Sequence, residues 1–270
     1  MTDLDTIDYS PLDRPDITRV LFHPRSDDRR AGPNDGPGTT VMIPVGPGVE
    51  IGGCFYIADE SAPNILFFHG NGEIVSDYED LGPVYNRMGI NFLPVDYRGY
   101  GRSTGSPTVT NMMRDGHAIL SFTLTWLAEN ACAGPLIVMG RSLGSASALE
   151  LASRYQKEIR GLIVESGFAY AGPLLALLGV DLAAVGFEEK RGFRNVDKIR
   201  QVTRSSLMIH AEKDHIIPYS DGQALYDACG AANKRLLMIP RANHNDLLYV
   251  GFAEYMDAVR KLTTDVVNGE

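Results

Sequence analysis

The sequence predicts an α/β fold: one domain built on a mostly parallel sheet of about eight strands, with helices covering both faces. Three observations lead there. The chain has 270 residues, 44% of them hydrophobic, which suits a single large domain with a sizeable core. Short runs that are apolar throughout recur along it, as in strands buried on both faces. Stretches with helical patterning lie between most of these runs.

Residues 1–38 are polar and end in AGPNDGPG, so an irregular lead-in to a single domain spanning 1–270 is expected. TTVMIPV (39–45) and VEIGGCFYIAD (49–59) read as strands joined by a turn at Gly46-Pro47-Gly48. The apolar runs that follow are NILFFHG (64–70), INFLPVDY (90–97), PLIVMG (135–140), RGLIVES (160–166), SLMIHAEKD (206–214) and KRLLMIP (234–240). Helices are expected over 74–88, 108–130, 143–156, 220–229 and 245–266. Residues 168–193, FAYAGPLLALLGVDLAAVGFEEKRGF, form a short insertion, apolar at first and then charged.

Charge and composition narrow the function. The net charge is −9, and Arg29-Arg30 stands among aspartates, so no nucleic-acid partner is expected. The apolar stretch 173–180 is far too short to span a bilayer, and no integral membrane segment is expected. MTDLDTIDYS at the start is acidic and lacks an apolar core, so a cytoplasmic setting is expected rather than secretion. Cys54, Cys132 and Cys229 have neither metal nor redox spacing. They read as reduced core thiols, with no metal and no cofactor.

In parallel sheets, sites form beyond the carboxyl ends of the strands. The polar residues just after the apolar runs therefore matter most. Ser142 follows 135–140 in GRSLGS, where Gly140, Gly144 and Ser145 leave room for a sharp strand-to-helix turn. G-x-S-x-G alone arises by chance in roughly one chain in five of this composition, so it needs company. Asp214 ends the run 206–213, where an aspartate also serves as an ordinary turn residue. His244 follows 234–240, in PRANHNDLL. Ser, Asp and His in that chain order, each after a different strand, are a far rarer coincidence than any one of them. His69-Gly70-Asn71-Gly72 follows a fourth run, and its backbone amides are free to hold an anion.

These motifs resemble those of the α/β-hydrolase superfamily, in FFHGNGE (67–73), DYRGYGRSTG (96–105), GRSLGS (140–145), HAEKDHIIP (210–218) and ANHNDL (242–247). The similarity runs from about residue 40 to the end. It is greatest to a subfamily holding small bacterial hydrolases and eukaryotic hydrolases that remove palmitate from proteins. One departure is Ala242-Asn243 before the histidine, where a small residue and a glycine are frequent.

The resemblance implies Ser142 as nucleophile, His244 as general base and Asp214 as the carboxylate that orients it, with the amides of Asn71 and Leu143 as oxyanion hole. The chemistry agrees from below. A serine hydroxyl is a weak nucleophile at neutral pH until a base takes its proton, and a carboxylate fixes the tautomer of that base. Glu165, at the end of the run 160–164, is the alternative acid. Glu73 and Arg141 also stand after strands and are expected to pair and steady both halves of the oxyanion site. The 168–193 segment occupies the place of the superfamily's cap. It either roofs an acyl pocket, lined by Leu174, Leu175, Leu177 and Leu178, or completes the core. The function expected is hydrolysis of a small-molecule carboxylic ester or thioester through an acyl-enzyme. The alternatives are a serine peptidase or amidase and a non-catalytic binding protein; nothing in the sequence fixes the oligomeric state.

Overall fold

The structure, a computed structural model, describes Leu4, residues 7–27 and residues 37–269. Eight strands form one sheet in the order β1-β2-β4-β3-β5-β6-β7-β8. They are β1 (Thr39–Gly46), β2 (Val49–Phe55), β3 (Asn64–Phe68), β4 (Asn91–Val95), β5 (Leu136–Arg141), β6 (Ile159–Glu165), β7 (Ser205–Ala211) and β8 (Lys234–Ile239). β1 and β2 are antiparallel to their neighbours, and every other pairing is parallel. The expected α/β class and strand set are therefore those observed.

The helices are α1 (Pro15–Leu21), α2 (Leu81–Arg87), α3 (Val109–Glu129), α4 (Gly144–Arg154), α5 (Ala171–Leu177), α6 (Asn195–Gln201), α7 (Tyr219–Ala228), α8 (Leu247–Val250) and α9 (Phe252–Asn268). Strand residues alternate between two apolar clusters: Leu66, Phe68 and Val138 face one, while Ile65, Phe67, Ile137 and Met139 face the other. Both faces are covered, which is why these strands read as unbroken apolar runs. α9 presents Tyr255, Met256, Val259, Leu262 and Val266 to the second cluster, one stripe at helical spacing. α4 is buried on every side from Gly144 to Ser153.

Several expectations change in detail. Pro15–Leu21 is helical where an irregular lead-in was expected: Pro15 opens it, and Ile17 and Leu21 are buried. Residues 1–3, 5, 6 and 28–36 of that lead-in lie outside the described residues. The single helix expected over 74–88 splits into a 3₁₀ turn (Val75–Tyr78) and α2. Pro83 has no N–H to donate, and the break puts it in the first turn of α2, where none is needed. Similarly, α8 and α9 replace one helix over 245–266, parted at Gly251, where an added Cβ would lie 2.5 Å from Ile239.

Candidate active site

β5 ends at Arg141, α4 begins at Gly144, and Ser142 makes the turn with φ +50°, a left-handed conformation rare for a residue with a side chain. Such strain persists only where the surroundings enforce it. Here backbone crowding does so. A Cβ on Gly140 would sit 2.3 Å from the Gly144 carbonyl oxygen, and one on Gly144 would sit 2.1 Å from that of Phe68. The Ser142 amide donates to the Glu165 carbonyl at 2.8 Å, and Ser145 Oγ to the Ser142 carbonyl at 2.6 Å.

His244 Nε2 lies 3.0 Å from Ser142 Oγ, and its Nδ1 lies 2.7 Å from Asp214 Oδ2. The imidazole is buried. Asp214 Oδ1 accepts from the amides of Ile216 (3.0 Å) and Ile217 (2.8 Å). Burial raises the pKa of Asp214, but the hydrogen bond and charge of His244, with those amides, hold it below the ordinary carboxylate value. Asp214 thus stays an anion facing Nδ1, which places the ring proton on that nitrogen and leaves Nε2 to accept.

Glu165 is elsewhere. Its Oε2 accepts from the Tyr255 hydroxyl at 2.6 Å, and its Oε1 lies 3.3 Å from Arg141 Nη1. The imidazole's second nitrogen is taken by Asp214, not by Glu165. Glu73 and Arg141 pair, Oε1 to Nε at 2.8 Å. Their reach is wider than the sequence suggested. Glu73 Oε2 also accepts from the Gly70 amide (2.7 Å) and the Tyr78 hydroxyl (2.6 Å), while Arg141 Nη1 donates to the His244 carbonyl at 3.2 Å. One ion pair therefore ties the loop 69–72, the Ser142 turn and the His244 loop together. Burial raises the pKa of Glu165 above its ordinary value despite Arg141; for Glu73 burial is outweighed by Arg141 and Tyr78, and its pKa is lowered.

Ser142 opens into a cavity of about 250 Å³ whose lining includes Gly70, Asn71 and Leu143. Among the described residues, the amides of Asn71 and Leu143 donate to no backbone acceptor. The Asn71 side chain is occupied: Oδ1 accepts from the His23 amide (2.8 Å) and the Tyr100 hydroxyl (2.7 Å). Leu21, Leu174, Leu178 and Ile216 form the apolar wall.

The leucines of the insertion divide. Leu174 and Leu178 line the Ser142 cavity. Leu177 is 57% exposed and lines the adjoining groove of about 260 Å³, while Leu175 is fully buried in the core and lines neither. α5 is therefore wall and core at once, because neighbouring helix positions point in different directions.

Sequence reasoning passed over His210, Leu21 and Tyr255. His210 Nε2 meets the Ile217 carbonyl at 2.8 Å, so that nitrogen donates, and lies 3.6 Å from Asp214 Oδ2. It packs under the Asp214 loop, four residues from the aspartate. The apolar positions Ile17, Val20 and Leu21 behind Pro15 are the signal that would have revealed α1. Nothing local marks Tyr255 as a partner of Glu165.

A parallel sheet with a serine–histidine–aspartate chain at its carboxyl edge is the layout found in hydrolases of this architecture. The family model described as "Serine aminopeptidase, S33" matches residues 59–185. The chain is 31% identical over 219 residues to human alpha/beta hydrolase domain-containing protein 17B, covering 76% of this chain and 67% of that one. It is 32% identical over 225 residues to the mouse 17C protein, covering 77% and 62%; the match thus spans less than two thirds of that relative's length. Among solved structures, the Pyrococcus furiosus esterase Pf2001 superposes with a TM-score of 0.71 at 19% identity, over 90% of this chain and 98% of that one. The chain belongs to the α/β-hydrolase family. Among the described residues, no helix is long and apolar enough to cross a membrane.

Proposed function

We propose that this protein is a serine hydrolase that cleaves a carboxylic ester or thioester through an acyl-enzyme. The observation that carries the reading is the unbroken hydrogen-bonded chain from Ser142 through His244 to Asp214, beginning at a serine with φ +50°.

In this reading, His244 Nε2 takes the Ser142 proton as Oγ attacks the acyl carbon. The negative charge on the carbonyl oxygen is held by the amides of Asn71 and Leu143, donors already in place before charge develops. The acyl C–O or C–S bond then breaks, and its electron pair leaves with the alcohol or thiol, which His244 protonates. Water attacks the acyl-serine next, returning a proton to Oγ through His244 and releasing the carboxylic acid. Asp214 remains ionised throughout. Arg141 and Glu73 hold the parts in register. A reducing, cytoplasmic setting fits the three free thiols.

The acyl group lies along Leu21, Leu174, Leu178 and Ile216. Each methylene buried there contributes up to about 0.8 kcal/mol. For p-nitrophenyl esters, kcat/KM is expected to rise from acetate to butyrate or hexanoate and then fall for long chains. A profile independent of chain length would remove the acyl wall from the account. Amide cleavage is a second reading, favoured by the description of the matching family. Faster turnover of aminoacyl anilides than of esters would decide for it. Turnover of neither would leave a binding protein.

A further inference from the structure

A second cavity, of about 280 Å³, adjoins the first, and Glu73, Arg141, His244 and Asn245 line both. Ser142 lines only the first. The second lies on the α2 and α9 side of the sheet, among Phe67, Tyr78, Tyr85, Phe92, Met139 and Tyr255, with half-buried Leu81 and Leu248 in its wall. Its charged groups have partners of their own: Glu73 has Arg141, Tyr78 and the Gly70 amide, Glu165 has Tyr255 and Arg141, and Asp77 has Arg25 and the Ile74 amide. An occupant therefore needs to bring no charge, and meets aromatic rings and methyl groups on one part of the lining and polar groups on the rest.

Protein interiors rarely keep voids much larger than a water molecule. A volume of about 150 Å³ is enough to take up benzene, so the 280 Å³ here has room for a ring and a short linker. That His244 lines both cavities bears on which part of a substrate would reach the second. The acyl group has its own wall on the α5 side. The leaving oxygen or sulfur, in contrast, must approach His244 to be protonated, and His244 forms part of the second cavity's lining.

We propose that this cavity is a leaving-group subsite, and that the substrates are esters or thioesters of a compact, uncharged alcohol or thiol bearing an aromatic ring. The inference rests on the serine-hydrolase reading above. When the acyl C–O or C–S bond breaks, the electron pair and the proton from His244 Nε2 leave with this group. The ring-bearing alcohol or thiol is released in the cavity while the acyl group stays on Ser142.

The test compares ethyl with 2-phenylethyl butyrate, two esters with the same acyl group, in wild type and in Leu248→Trp and Leu81→Trp. Both leucines are half-buried, and two variants are used so that failure of one to fold leaves the other to decide. The wild type should favour the 2-phenylethyl ester by about ten-fold in kcat/KM, with the ratio falling toward one in the variants. Free 2-phenylethanol should bind Ser142→Ala saturably by ligand-detected NMR, and that binding should weaken when Leu248→Trp is added. A flat ratio in the wild type would overturn the inference. So would variants that shift acyl-chain preference and leave the leaving-group ratio alone, since the cavity would then belong to the acyl half. If no ester is turned over and Ser142 resists acylation, the hydrolase reading itself fails, and the subsite with it.

Discussion

Two largely buried ion clusters, one beside the Ser142 turn and one on α4, are built in opposite senses. Near the candidate active site, one guanidinium, Arg141, serves two carboxylates, Glu73 and Glu165. On α4, one carboxylate, Glu150, meets Lys198 Nζ at 2.9 Å, Arg154 Nε at 2.6 Å and His117 Nε2 at 3.4 Å, and accepts from the Tyr9 hydroxyl at 2.7 Å. The excess of anions in the first leaves burial dominant at Glu165, whose pKa is raised. The excess of cations in the second overcomes burial at Glu150 and pulls its pKa well below the ordinary 4.5. What each cluster connects differs too. The first joins three loops that meet at Ser142. The second joins the chain before α1 to α3, α4 and α6, elements whose relative placement defines the architecture. Buried charge thus serves positioning in one place and assembly in the other.

The largest expected effect falls beside the first cluster and spares the second. Asp214→Asn should lower kcat by about 10³ to 10⁴, because the wrong imidazole tautomer then faces Ser142. Its thermal unfolding should change far less. If turnover survives Asp214→Asn and collapses in Glu165→Gln instead, Glu165 is the acid that serves His244.

Next comes Glu150→Ala. It strands the fully buried Lys198 without its counter-charge, so a loss of roughly 3–5 kcal/mol in stability is expected, read by chemical denaturation. Below the unfolding transition, kcat should stay within about two-fold of wild type. A large fall in kcat at unchanged stability would erase the contrast between the clusters.

Arg141→Lys should have a smaller effect on folding and a clear one on rate. Lysine keeps the charge but cannot reach Glu73, Glu165 and the His244 carbonyl from one planar group. A fall in kcat of about 10²-fold is expected, the scale of a small misplacement of reacting groups. An unchanged kcat would show that the loops hold their places unaided.

The smallest effect concerns acid. A depressed folded pKa at Glu150 supplies stability that is present above pH 4.5 and lost as pH falls. A raised folded pKa at Glu165 works the other way: the folded state binds that proton more readily, so stability is gained as pH falls through the folded pKa toward 4.5. The stability difference between wild type and Glu150→Gln should therefore shrink from pH 7 to pH 3. That between wild type and Glu165→Gln should move in wild type's favour from pH 7 toward pH 4.5. Equal slopes would refute the opposite construction of the two clusters.

The residues at the carboxyl edge were readable in advance because the turn chemistry is local. Gly140, Ser142 and Gly144 announce a crowded strand-to-helix junction within five positions, and Asp214 and His244 each follow an apolar run. The Glu73–Arg141 pair was readable only through the resemblance, which implied that the strands preceding the two residues are neighbours. What was not readable depends on distant packing. Tyr255 reaches Glu165 across 90 positions. α6 hides from periodicity because its buried face includes Asn195 and Lys198. The second cavity has no sequence signature, since its lining comes from four strands and from helices far apart in the chain. α5 showed only that it was apolar; which leucine meets the cavity and which the core follows from its orientation on the sheet.

The central claim is that Ser142 is the nucleophile, and a fluorophosphonate probe tests it most directly. Intact mass spectrometry of the folded protein should show one adduct per chain, mapped by peptide sequencing to Ser142 and absent from Ser142→Ala. It should form far more slowly in His244→Ala, where no base takes the serine proton. A folded protein that forms no adduct, or carries it on a residue other than Ser142, would contradict the account.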